Sequence, residues 1–296
     1  MKGFQAWLYA TRPMTLAAAV APVVVASALA WYDGVLKLSA AVWCLSFALF
    51  AQIAANFIND YLDFKGGIDT KERIGPARAV ASGWITPRKM LLATVIMWVV
   101  AVVCGLQLIP YTYLGRHLVW VGCVSILFCC LYSPLSRYGF GDLFVLIFFG
   151  LLPTVFTYFV QANRFFFSAT VLLGTMMGLL SINILIANNY RDYDTDKIVD
   201  KRTTIVIFGK KFGRIFYVCT GIMVALFNLW LFYLMGNFWF GFIVWIFLIP
   251  HFRAWKKLIY IDSGKGLNAL LALSSKNLLL FCLLEILSFV ALRLMN

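Results

Sequence analysis

The chain has 296 residues, of which 63% are hydrophobic and only 12% are charged, with 25 Lys and Arg against 12 Asp and Glu. So low a charged fraction excludes an ordinary soluble globular domain. Charge-free runs recur at Leu38–Ile58, Met90–Ile109, Leu143–Asn163 and Phe165–Tyr190, each close to the roughly 20 residues that carry a helix across a bilayer. The expected fold is therefore all-α and polytopic, a single integral membrane domain over residues 1–296.

In chain order, about nine transmembrane helices are predicted in a single bundle, at roughly 14–32, 38–59, 90–109, 117–134, 142–162, 166–190, 214–234, 237–252 and 276–294. The amino-terminal stretch, with Lys2, Arg12 and Ala26-Ser27-Ala28, imitates a cleaved signal peptide. Its apolar run from Met14 to Tyr32 is long for that, and Pro13 and Pro22 fit poorly, so it reads as the first retained helix. The run Ile215–Phe252 is about twice bilayer thickness and folds as a hairpin broken at Met235-Gly236-Asn237. All seven Cys fall within predicted spans and read as small apolar filler.

Charge placement orients the bundle. With the amino terminus in the cytoplasm, that side receives 21 of the 25 Lys and Arg, and the other side only Lys37, Arg116, Arg164 and Arg293. The asymmetry accounts for the basic excess without nucleic acid. It also sets the expected central cavity facing the cytoplasm.

Eight of the 12 acidic residues gather in two stretches, Asp60, Asp63, Asp69 and Glu72 in one and Asp192, Asp194, Asp196 and Asp200 in the other. Each stretch follows an apolar span. Helical spacing lines up Asn56, Asp60 and Asp63 on one face, and Asn188, Asp192 and Asp196 on another, with Asp194 pointing aside. Asn56 and Asp60 recur as Asn188 and Asp192 at one offset of 132 residues, compatible with an old duplication. A charged side chain costs roughly 2.5–3.5 kcal/mol at the centre of a span and less towards its ends. Clustered carboxylates also repel one another unless a cation compensates.

Neither cluster contains His or Cys, so the donor set suits Mg²⁺ rather than zinc. Lys65, Lys71, Arg73 and Arg78 follow the first cluster, and Arg191, Lys197, Lys201 and Arg202 surround the second. Carboxylates, magnesium and guanidinium groups together suit a diphosphate. The chemistry served is heterolysis of a carbon–oxygen bond, whose leaving group gathers negative charge in the transition state. Lys71, Glu72, Lys210 and Lys211 read more simply as a solvated connection. Glu285 lies inside the ninth predicted span, where an ionisable group is a functional candidate; a protonated or hydrogen-bonded side chain is the plainer reading. A cation-coupled transporter competes as a function, but it would place its carboxylates near the midplane on broken helices.

At these residues the chain resembles the UbiA superfamily of intramembrane prenyltransferases. Asn56-x-x-x-Asp60-x-x-Asp63 and Asp192-x-x-x-Asp196 match its two aspartate-rich signatures. Within it, the chain looks most like the 1,4-dihydroxy-2-naphthoate polyprenyltransferase (MenA) group. The similarity includes Arg12-Pro13-Met14-Thr15-Leu16, the run from Asn59 to Thr70 with Gly75-Pro76-Ala77-Arg78, and Tyr138-Gly139-Phe140-Gly141-Asp142. It extends to Arg191-Asp192-Tyr193-Asp194-Thr195-Asp196, Lys201-Arg202-Thr203 and Leu267-Asn268-Ala269-Leu270-Leu271. Position 64 is Phe, whereas the 4-hydroxybenzoate branch spaces its first aspartates as Asp-x-x-x-Asp. The group commonly carries Gly at Asp200, Leu at Thr204 and Glu at Asp142.

The resemblance implies Mg²⁺-dependent transfer of a polyprenyl group from its diphosphate to 1,4-dihydroxy-2-naphthoate, with decarboxylation, giving demethylmenaquinone for menaquinone. Asp60, Asp63, Asp192 and Asp196 are the implied catalytic residues and, with Asp69, the metal ligands. Asn56, Asn59, Arg78, Asn188, Arg191, Lys201 and Arg202 would bind substrate, and Lys65, Arg137 and Tyr138 are candidates for the aromatic acid. The implied setting is the bacterial cytoplasmic (inner) membrane, with the amino terminus and the site on the cytoplasmic side and the prenyl tail between helices open to lipid. Acceptors of sister enzymes (4-hydroxybenzoate, homogentisate or haem) stay open, as do prenyl chain length and oligomeric state.

Overall fold

Lipid offers no partner for a backbone N–H or C=O, so apolar runs of this length satisfy their own backbone as helices. The computed structural model describes residues 1, 3–67 and 74–295, with the backbone alone for Cys129, Cys130 and Ser133. It contains α1 (Phe4–Ala10), α2 (Pro13–Tyr32), α3 (Leu38–Lys65), α4 (Pro87–Leu106), α5 (Leu118–Ser136) and α6 (Gly141–Leu146). A π-helical turn at Ile147–Leu151 joins α6 to α7 (Leu152–Ala162). Then come α8 (Phe167–Arg191), α9 (Tyr193–Ile198), α10 (Thr204–Leu234), a 3₁₀ stretch at Phe238–Phe247, α11 (Leu248–Ile261) and α12 (Asn268–Met295). There is no strand among the described residues.

This is an all-α polytopic membrane protein. Among the described residues, eight helices are long and apolar enough to cross a bilayer. The expected count of about nine differs at α5, whose described apolar stretch, Gly115–Phe128, is shorter. The expected span 237–252 is instead a continuous segment Phe238–Ile261 that begins as 3₁₀ helix; the tighter helix rises further per residue. The hairpin before it breaks where the sequence indicates. Gly236 takes φ +76°, Asn237 N–H donates to Phe232 O at 2.9 Å, and Gly236 N–H donates to Tyr233 O at 3.0 Å. This double bond to the last turn is the Schellman end of α10.

α8 is the hub. Buried residues make up 78% of its apolar window, against 22% for α4, whose Leu92, Val95, Ile96, Val99 and Val103 are left exposed to lipid. The π-helical turn packs on α8 through glycines. A Cβ on Gly150 would lie 2.3 Å from Gly174 O and 2.6 Å from Gly178 Cα, so two backbones touch where small residues recur four apart. Pro153 follows at once and lacks the N–H that would bond back one turn, which favours the wider register just before it. Gly150→Ala is expected to destabilise the bundle by about 1–3 kcal/mol through overpacking. Thermal unfolding in detergent measures this, and an unchanged midpoint would contradict the backbone contact.

Candidate active site

The carboxyl-terminal end of α3 is built against the turn that opens α2. Pro13 disfavours a helical residue before it, and Arg12 takes a left-handed φ of +50° between α1 and α2. Asn56 clamps this bend: its Nδ2 donates to Thr11 O at 2.8 Å and to Thr15 Oγ1 at 3.0 Å, and its Oδ1 accepts from Gln52 Nε2 at 3.3 Å. One turn on, Asp60 is buried and folds the following loop back over the helix. Its two oxygens accept from Ala79 N–H at 3.0 Å and Val80 N–H at 3.2 Å. That turn delivers Arg78, whose guanidinium lies 2.7 Å from Asp63 Oδ2.

The end of α8 is held by a buried cation. The Arg191 side chain is wholly buried and grips Asp192 with a fork, Nε to Oδ1 at 2.8 Å and a terminal nitrogen to Oδ2 at 2.6 Å. It also donates to Asn188 Oδ1 at 2.7 Å and to Asn268 Oδ1 of α12 at 3.0 Å. The first loop presses on the same group, since a Cβ on Gly75 would fall 2.6 Å from the guanidinium. α9 continues one further turn, so Asp196 follows Asp192 along it, with Lys201 Nζ 3.2 Å from Asp196 Oδ2. Outside the bilayer, Asp262 supports the same end of α8. Hydrogen bonds from Tyr190 at 2.8 Å and Arg214 at 2.5 Å hold its carboxyl below the usual carboxylate range.

Both acid motifs line one cavity of about 460 Å³. Of the residues singled out in the sequence, Asn56, Asn59, Asp60, Asp63, Arg78, Arg137, Asn188, Asp192, Asp196 and Lys201 line it. Lys65, Tyr138, Arg191 and Arg202 are not in its wall: Lys65 and Tyr138 are exposed, Arg202 pairs with Asp200 in solvent at 3.2 Å, and Arg191 is buried behind Asp192. Asp69, Lys71, Glu72 and Arg73 lie outside the described residues. The same cavity has an aromatic lining, with Phe128, Phe144 and Phe148 packed ring to ring at 4.9–5.6 Å.

A profile of the UbiA prenyltransferase family matches residues 19–277. The chain belongs to that family. It is 34% identical over 259 residues to a 1,4-dihydroxy-2-naphthoate octaprenyltransferase of Escherichia coli, covering 83% of this chain and 81% of the relative. The enzyme of the same name from Mycobacterium tuberculosis is 36% identical over 227 residues, 73% of this chain and 74% of the relative. A solved UbiA homologue from Archaeoglobus fulgidus, bound to GPP and Mg²⁺, superposes with a TM-score of 0.67 at 14% identity, covering 96% of this chain and 99% of that one. UbiA membership makes this a prenyltransferase, and the likeness to the archaeal structure extends to the fold.

The UbiA cavity also contains residues that sequence reasoning did not place there. Arg12, Tyr132, Asp142 and Thr204 all line it. Arg12 and Asp142 belong to the runs Arg12–Leu16 and Tyr138–Asp142, but nothing in their spacing says that the α2 and α6 starts meet the α3 and α8 ends. The donor chemistry fits a hard cation. Asn59 Oδ1 is buried and accepts no hydrogen bond among the described residues, beside four carboxylates on the same cavity. Among those residues no three His, Cys, Asp or Glu gather into a metal centre. The chain therefore offers carboxylates from two sides, as suits Mg²⁺ completed by water and phosphate oxygens.

Proposed function

We propose that this UbiA-family enzyme transfers a polyprenyl group from its diphosphate to 1,4-dihydroxy-2-naphthoate with loss of the carboxylate, at the cytoplasmic side of a bacterial membrane. The observation that carries the reading is one cavity lined both by Asp60, Asp63, Asp192 and Asp196 and by the clustered rings of Phe128, Phe144 and Phe148. The naphthoate-prenylating relatives named above support the choice of acceptor, and the concentration of Lys and Arg in the loops on the amino-terminal side supports the orientation.

In this reading the four aspartates hold Mg²⁺, which when bound neutralises charge gathering on the departing diphosphate. Arg12, Arg78 and Lys201 bind the diphosphate oxygens. Arg78 and Lys201 already stand in ion pairs with Asp63 and Asp196, so both charges are placed before substrate arrives and need little reorganisation. Phe128, Phe144 and Phe148 keep water from the allylic cation and present their π faces to it. Arg137 orients the acceptor carboxylate.

A panel of aromatic acids with one prenyl diphosphate tests the assignment. Turnover of dihydroxynaphthoate should exceed that of 4-hydroxybenzoate and homogentisate by at least about 100-fold, and by up to about 10⁴-fold if the site hydrogen-bonds the naphthoate's own polar groups. Chelation by EDTA should abolish diphosphate release, and added Mg²⁺ should restore it. Equal use of 4-hydroxybenzoate would overturn the acceptor, and activity indifferent to EDTA would overturn the metal.

A further inference from the structure

Asp142 is a carboxylate in the cavity that belongs to neither acid motif. It sits in the first turn of α6, is 8% exposed and lines the same cavity as Tyr132 and Arg137. Its Oδ2 accepts from the Thr204 hydroxyl at the start of α10. Its Oδ1 is shielded from bulk water and accepts no hydrogen bond among the described residues. Leaving a buried acceptor without a donor costs about 1–3 kcal/mol. Such an atom on a cavity wall calls for a donor from the ligand. Unlike Asp60, Asp63, Asp192 and Asp196, Asp142 meets no Lys, Arg or backbone N–H with its carboxylate among the described residues.

The geometry points to Asp142 as the general base that takes the hydroxyl proton of the aromatic acceptor, with Thr204 fixing the carboxylate's rotation. The assignment rests on the acceptor reading above, because it requires a ring hydroxyl next to the carbon that attacks. The proton balance closes on Asp142 alone. The hydroxyl proton passes to Asp142 while the carboxylate-bearing ring carbon bonds to the prenyl carbon. The prenyl carbon–oxygen bond breaks, and its electron pair leaves on diphosphate. The ring then holds a ketone beside a quaternary carbon that carries both the prenyl group and the carboxylate. Loss of CO₂ returns an electron pair to the ring as an enolate, and Asp142 gives the proton back to its oxygen. The carboxylate is regenerated, with no oxidant or reductant consumed. General-base assistance of this kind is worth about 10²–10⁴-fold in rate.

The test compares Asp142→Asn and Asp142→Glu with the wild-type enzyme in detergent, using prenyl diphosphate, dihydroxynaphthoate and Mg²⁺. Asp142→Asn should lose about 10²-fold or more in kcat. Its KM for naphthoate and its Kd for prenyl diphosphate should stay within about threefold of wild type, since the diphosphate side of the cavity is untouched. Asp142→Glu, which keeps the base, should recover at least a tenth of wild-type kcat. A kcat for Asp142→Asn within threefold of wild type overturns the assignment, and so does loss of prenyl diphosphate binding in step with kcat. If Asp142→Asn does not fold, Asp142→Glu decides: bound prenyl diphosphate with less than a hundredth of wild-type kcat counts against the role. Wild-type turnover of naphthoate tests the acceptor reading separately, so the two failures are distinguishable.

Discussion

Replacing Asp63 or Asp196 by alanine is expected to lower kcat by about 10²–10³-fold, the scale of losing one preorganised electrostatic partner of a developing charge. These two positions give the cleanest measurement of the acid motifs. Asp63 pairs with Arg78 and Asp196 with Lys201, and the two cationic side chains are 11% and 19% exposed. The freed cation keeps some access to water, so the loss of stability should be smaller than for the wholly enclosed Arg191 pair. Asp60 and Asp192 are different. Asp60→Ala would strip the acceptors from Ala79 and Val80 N–H and loosen the loop that carries Arg78. Asp192→Ala would leave the buried Arg191 without its main partner. Diphosphate release at saturating Mg²⁺, read beside thermal unfolding, separates the two cases. Near-normal rates in both Asp63→Ala and Asp196→Ala, with the fold intact, would remove these residues from the chemistry.

Arg191→Met should cost stability as well as activity. The guanidinium is fully enclosed and joins three parts of the chain: Asn188 on α8 with Asp192 at its end, Asn268 on α12, and the first loop pressed against it at Gly75. Breaking one side of a buried ion pair costs about 3–5 kcal/mol, because the partner charge stays behind without compensation. Lysine should rescue poorly, since one ammonium cannot reproduce the planar fork on both Asp192 oxygens. A lowered unfolding midpoint together with lost turnover is the expected result. An unchanged midpoint with a raised KM for prenyl diphosphate would mean instead that Arg191 meets the diphosphate directly.

The sequence by itself determined the class of protein and the inventory of its chemistry. Twenty-residue apolar runs are sufficient to specify helices in lipid, where the backbone has no other partner. The spacing of Asn56, Asp60 and Asp63 puts three side chains along one face of α3, whereas the helix break at Asp192 separates Asn188 on α8 from Asp196 on α9. Turn chemistry was legible too, as at Gly236. Periodicity names a face but not what it meets, and there the tertiary structure decided. Two helix ends separated by more than a hundred residues came to line one cavity. Asn56 turned to clamp Thr11 and Thr15, and Arg191 withdrew behind Asp192. Arg12, Tyr132, Asp142 and Thr204, from four separate segments, came to line the same cavity. The reason is physical: a buried polar group is satisfied by whichever donor or acceptor packing brings within about 3 Å, and that partner is most often distant in the chain.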